Sequence, residues 1–130
     1  MSDLISIRSS KSVRATSESL AKLVEAHGLK VFARIDHAAN ALDAGMDLRP
    51  TELLIFGNPK GGTPLMQDRQ TAGLDLPFKI LVWEDEDAKV WLTYANPKEL
   101  ISRHDLRSAS SLVIETISEG VAKLAEAAGR

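Results

Sequence analysis

The chain has 130 residues, 44% apolar and 26% charged, a balance that suits one soluble globular domain with a real core. A net charge of −2 gives no electrostatic case for nucleic acid, and the lack of cysteine excludes disulfides, thiolate metal sites and cysteine nucleophiles. Residues 1–10 hold no apolar run like a secretory signal, and no stretch nears the ~20 apolar residues of a membrane span, so a cytoplasmic protein without nucleic-acid or membrane partners is expected.

Leu4 to Arg8 reads as a first strand, with Leu4, Ser6 and Arg8 on one face and Ile5 and Ile7 on the other. Ser10 or Ser12 caps the helix that follows. Val13, Leu20, Leu23 and Val24 recur at helical spacing, and Gly28 ends the run. His27 in its last turn has a plain reading as a cation on the helix dipole. Leu29 to Asp36 is a second strand, with Val31, Ala33 and Ile35 expected on one face and Phe32, Arg34 and Asp36 on the other. The alanine-rich piece from Asp36 to Gly45 is a short helix with Asp36 or His37 at its start.

Thr51 to Phe56 is a third strand and runs into Gly57-Asn58-Pro59-Lys60-Gly61-Gly62-Thr63-Pro64. Asn58-Pro59 forces a turn, and the glycines free the backbone. Thr63 is the expected N-cap, and Pro64 suits the first helical position. A helix of about two turns is expected to follow and to stop at Gly73. A strand, a glycine loop and a helix start then aim N–H groups at one spot beside Lys60, a place that suits a carboxylate or phosphate. The P-loop pattern is not met, because Thr63 stands where its lysine belongs, and the dinucleotide fingerprint is absent. The plain alternative is a tight connection from the sheet into a covering helix.

Phe78 to Trp83 and Lys89 to Tyr94 form the clearest hairpin, with the acidic turn Glu84-Asp85-Glu86-Asp87 between them. That turn lacks the calcium-loop pattern. Trp83 and Trp91 are expected as cross-strand neighbours or core residues. Pro97 to His104 starts a short helix, and Ser108 to Ser111 opens the C-terminal one, whose expected buried stripe is Ser110, Val113 or Ile114, Ile117, Val121, Leu124 and Ala128. Strand, helix, four strands and helices in that order indicate an α+β sandwich with an antiparallel sheet. Apolar residues on both faces of the last two strands suggest that the second face is also covered, and a homodimer is one way to cover it.

Ile35-Asp36-His37-Ala38-Ala39, Phe56-Gly57-Asn58-Pro59-Lys60, Gly62-Thr63-Pro64-Leu65-Met66, Leu76-Pro77 and Val90-Trp91 with Tyr94 together resemble the bacterial and archaeal family called domain of unknown function 302. The resemblance spans nearly the whole chain. It implies a β-α-β4-α arrangement like that of the TATA-box-binding protein, without implying nucleic-acid binding, since fold does not carry function. It brings no settled activity and leaves any cofactor unknown.

Among candidate site residues, His37 follows a strand, and histidine is the residue type best suited to proton transfer near neutral pH, so it is the first choice for an acid or base. Lys60 and Tyr94 join it if strand ends meet at one mouth. His104-Asp105 are neighbours on a helix and do not face each other. A metal held by His37 and His104 with Asp36 or Asp105 has no supporting spacing, and a serine hydrolase lacks G-x-S-x-G. Three functions compete. The leading one is a binding module for a small anionic ligand, with Asp36, Asn58, Lys60, Gly61, Gly62, Thr63 and Tyr94 as its binding residues. The others are an enzyme using His37 with Lys60, and a structural protein whose main property is dimerisation.

Overall fold

In the computed structural model, which describes residues 3–130, the elements follow in order as β1 (Leu4–Ser9), α1 (Val13–Ala26), β2 (Lys30–Asp36), α2 (His37–Asp43), β3 (Thr51–Gly57), α3 (Pro59–Asp68), a 3-10 turn (Gln70–Leu74), β4 (Phe78–Glu84), β5 (Val90–Ala95), α4 (Glu99–His104) and α5 (Ser108–Ala128). The five strands form one sheet in the order β1-β5-β4-β3-β2, and every neighbouring pair is antiparallel. This is the expected α+β architecture, and the hairpin of β4 and β5 pairs Trp83 with Trp91.

One face of the sheet carries the core. Leu54 and Phe56 of β3, Ile80 and Val82 of β4, and Val90, Leu92 and Tyr94 of β5 lie buried against Leu20 and Val24 of α1 and Val121, Leu124 and Ala128 of α5. These strand residues alternate because successive side chains point to opposite faces. The helices reach them through stripes at helical spacing. Ser12 caps α1 by accepting the Ala15 N–H at 3.1 Å. Where β1 ends, the Ser9 and Thr16 hydroxyls bond each other at 2.6 Å inside the core.

Strict alternation fails in β2. Val31 lies opposite Phe56 and Ala33 opposite Ile55, so Phe32 is an extra residue in a β-bulge. Val31 therefore shares the helix-covered face with Arg34 and Asp36, whereas Ala33 and Ile35 point to the other face. The expected grouping of Val31 with Ala33 and Ile35 is corrected by that one inserted residue.

The second face of the sheet carries both tryptophans. Trp83 donates its indole N–H to Thr93 at 2.8 Å, and Trp91 donates to Asp85 at 2.9 Å. The Arg8 guanidinium sits 5.6 Å from the centre of the Trp91 ring. Leu53, Ile55 and Leu81 lie on the same face and are partly exposed.

Candidate functional site

The glycine loop is a helix from an earlier point than its sequence suggests. Asn58, not Thr63, is the N-cap: its side-chain oxygen accepts the Lys60 N–H at 3.0 Å. Pro59 takes the first helical position, where its missing N–H is not needed. Gly61 and Gly62 both donate to the Asn58 carbonyl, at 2.9 and 3.0 Å. Thr63 and Pro64 lie inside α3, which ends at Asp68 instead of running on to Gly73. The expected N-cap and helix boundaries are corrected on this geometry. It also changes the chemistry: the N–H groups of Lys60, Gly61 and Gly62 are already bonded to Asn58. Lys60 itself is exposed.

What the loop does form is one wall of a cavity of about 690 Å³. Gly57, Asn58, Pro59, Gly61, Gly62 and Thr63 contribute to it. Phe32 from the β2 bulge, Phe56, Leu76 and Phe78 from the sheet end, and Ile117, Val121 and Leu124 from α5 supply apolar surface. The ionisable lining residues are His27, Lys123 and Arg130, with no carboxylate among them. A cavity of this size and lining suits a small molecule that is mostly apolar. Space is open at two of its glycines: a Cβ built on Gly61 or on Gly120 meets nothing within 4 Å. Gly120 lies within the long α5, where glycine costs about 1 kcal/mol relative to alanine.

Asp36 and His37 lie elsewhere. Lys30 pairs with Gly57 at one end of the β2–β3 ladder, and Asp36 pairs with Glu52 at the other. The five-residue rise from Glu52 to Gly57 is roughly 17 Å. His37 and Lys60 therefore occupy opposite ends of the strand pair and do not form one mouth. Asp36 caps α2, accepting the Ala39 N–H at 2.9 Å, and faces Arg14 at 3.3 Å. Glu52, 5% exposed, meets Arg14 at 3.4 Å and Arg34 at 3.2 Å. Arg34 also reaches Glu18. The charges at this end satisfy one another. Tyr94 belongs to neither end: it is 5% exposed in the core, and burial, with Glu126 nearby, pushes its phenol above its ordinary value.

One polar constellation was not anticipated. His104, 7% exposed at the end of α4, has both ring nitrogens engaged. Nε2 lies 2.5 Å from Asp75 Oδ2 and Nδ1 lies 3.0 Å from Thr71 Oγ1. Arg103 also reaches Asp75 Oδ2, at 3.1 Å. Burial alone would raise the Asp75 carboxyl, but hydrogen bonds from His104 and Arg103 outweigh it and hold the group below its ordinary value. Thr71, Asp75 and His104 come from the 3-10 turn and from α4, so no local motif joins them. The four-residue step from Thr71 to Asp75 is the only sequence signal that links any two of the three.

Comparison with known proteins places the chain. A family model described as "Domain of unknown function DUF302" matches residues 5–124. A curated protein of Brucella suis biovar 1 (strain 1330), named "Fluoride-specific ion channel FluC 1", is 48% identical over 119 residues, covering 92% of this chain and 47% of that protein. "Fluoride-specific ion channel FluC 2" of Brucella melitensis biotype 1 (strain ATCC 23456 / CCUG 17765 / NCTC 10094 / 16M) is also 48% identical, over 92% of this chain and 44% of its own length. The chain thus spans less than half the length of these relatives. Among solved structures, the "Crystal structure of uncharacterized conserved protein DUF302 from Bacillus stearothermophilus" superposes with a TM-score of 0.87 at 18% identity, covering 98% of each chain. That likeness extends to the fold.

Proposed function

The chain belongs to the DUF302 family, and on that premise we propose that it is a binding module for a small anionic ligand with a largely apolar body, held in the cavity behind the glycine loop. The observation that carries this reading is the cavity of about 690 Å³ with apolar walls, whose ionisable lining residues, His27, Lys123 and Arg130, include no acid. The apolar walls favour burial of hydrocarbon surface at about 25 cal/mol per Å². The basic residues give an anionic head group a preferred direction. Asn58, Gly61, Gly62 and Thr63 act as shaped wall. The backbone donors at the helix start are already satisfied, so they add little to anion binding. Lys60, Asp36, His37 and Tyr94 have no direct part in this reading.

Titration with anilinonaphthalene sulfonate, an apolar anion whose fluorescence rises on burial, tests it. Saturable binding to the native protein is expected, weakened more than tenfold by Gly120→Phe and several-fold by Lys123→Glu. Unchanged affinity in the folded Gly120→Phe variant would remove the cavity from the account.

The likeness to proteins named as fluoride-specific ion channels favours a second reading of context, in which the module works beside an ion channel. No helix among the described residues is long and apolar enough to cross a membrane, so a helical pore would come from another segment or protein. Backbone amide shifts recorded during fluoride titration, against a chloride control, separate direct sensing of that ion from binding of a larger anion. A response confined to fluoride supports direct sensing. Equal responses to both salts count against it.

A further inference from the structure

We propose that Thr71, His104 and Asp75 form a hydroxyl-activating relay, with Thr71 as a nucleophile toward activated acyl esters. The inference stands apart from the cavity reading and uses none of the cavity's lining residues. Its basis is geometric. A nucleophile–base–acid constellation needs a hydroxyl within reach of one imidazole nitrogen and a carboxylate on the other, with the imidazole held in place. Here Thr71 Oγ1 is 3.0 Å from Nδ1, and Asp75 Oδ2 is 2.5 Å from Nε2. The roles of the two nitrogens are reversed relative to the serine-protease arrangement, but the logic of the relay is the same.

The surroundings fix these roles. His104 is 7% exposed, so its ring is held by packing as well as by two hydrogen bonds. Asp75 is oriented by Arg103, whose Nη1 lies 3.1 Å from the oxygen that meets His104. An ionised Asp75 accepts the Nε2 proton, which leaves the Nδ1 lone pair directed at the Thr71 hydroxyl. Thr71 is on the exposed side of the 3-10 turn, so a substrate in solution can reach it. The Arg103 guanidinium beside the His104–Asp75 pair favours negative charge developing nearby.

The chemistry closes as follows. Thr71 Oγ1 attacks the carbonyl carbon of an aryl ester, and its proton passes to His104 Nδ1. The bond from carbonyl carbon to phenolic oxygen then breaks, the phenolate leaves, and His104 Nδ1 gives up its proton to solvent. The acyl group remains as an ester on Thr71. Water attacks that ester while its proton passes to His104 Nδ1, the bond from the carbonyl carbon to Thr71 Oγ1 breaks, and His104 returns the proton to Thr71 Oγ1 as the carboxylic acid is released.

The experiment uses p-nitrophenyl acetate and the full chain, with release of p-nitrophenolate followed by absorbance and the acetylated site located by peptide mass spectrometry. Acetylation at Thr71 is expected, lost in Thr71→Val and retained in Thr71→Ser. Both variants change an exposed residue and leave the buried His104 in place, so folding is preserved and can be checked by circular dichroism. A rate that falls at least tenfold in Thr71→Val supports the relay. Acetylation only at lysines, or equal rates in native protein and Thr71→Val, would overturn it and leave the cluster as a staple between the 3-10 turn and α4.

Discussion

At one end of the β2–β3 pair, Asp36 and Glu52 meet Arg14 and Arg34; at the other, Phe56 and Gly57 border an apolar cavity with basic residues along its lining. The same two strands run through both ends, so the difference comes from what is packed around them. At the first end α1 and α2 bring opposite charges into mutual contact, and the motif residues Asp36 and His37 are used to start a helix. At the second end the β2 bulge, the start of α3 and one face of α5 line a cavity. A polar cluster that satisfies itself has little left with which to bind a ligand. Apolar cavity walls exposed to water gain from contact with hydrocarbon, which a ligand can supply.

Four measurements probe this contrast. The largest effect is expected for Phe56→Ala. Phe56 is 1% exposed beneath the cavity, and its truncation should cost about 3–5 kcal/mol in urea unfolding. A loss below about 1 kcal/mol would mean that the cavity end is already loosely packed. Next comes Glu52→Ala at the charged end. Removing this buried acceptor leaves Arg34 and Arg14 without it and should cost about 1.5–3 kcal/mol. If the cost is near zero, the charge network is no more than a surface arrangement.

A smaller effect, of opposite sign, is expected for Gly120→Ala. The added methyl meets no atom within 4 Å, so helix propensity alone should raise stability by about 1 kcal/mol and the melting temperature by a few degrees. The same variant should bind anilinonaphthalene sulfonate less well if the ligand packs on this lining residue. Stabilisation with unchanged binding would separate Gly120 from the ligand site.

The smallest effect is in the acid limb of stability. Asp68, at the end of α3, accepts from the Ser110 hydroxyl at 2.6 Å and the Arg107 N–H at 2.8 Å, and so ties α3 to α5, two walls of the cavity. The Ser110 bond, then the Arg107 N–H, holds its carboxyl below the ordinary value of 3.8. A depressed folded value means that this stabilisation is complete above the unfolded value and is lost as pH falls through the folded one. Carboxyl carbon NMR should give Asp68 a midpoint below 3.8, and Asp68→Asn should flatten the stability curve below about pH 4. A midpoint at or above the ordinary value would contradict this tie.

Much of the fold was legible because its signals are local. An apolar run marked β3, helical spacing marked α1 and α5, and the acidic turn between two apolar runs located the hairpin of β4 and β5. The glycine stretch was correctly placed next to a strand end, but its capping was misplaced by five residues. Both Asn58 and Thr63 precede a proline that suits a first turn, and local chemistry does not rank them. The Phe32 bulge was hidden because an inserted residue shows only when the partner strand is aligned against it.

The amino-acid sequence by itself determined the element types, the family resemblance and the glycine stretch as a special segment, since each depends on residues close together in the chain. Tertiary structure decided which residues meet. It put His37 and Lys60 at opposite ends of one strand pair, buried Tyr94, and assembled a cavity wall from α5 that no motif announced. It also brought Thr71 and Asp75 to His104 across about thirty residues of chain. The physical reason is that side-chain periodicity fixes which face a residue takes on its own element, while strand order, register and helix packing fix what lies opposite.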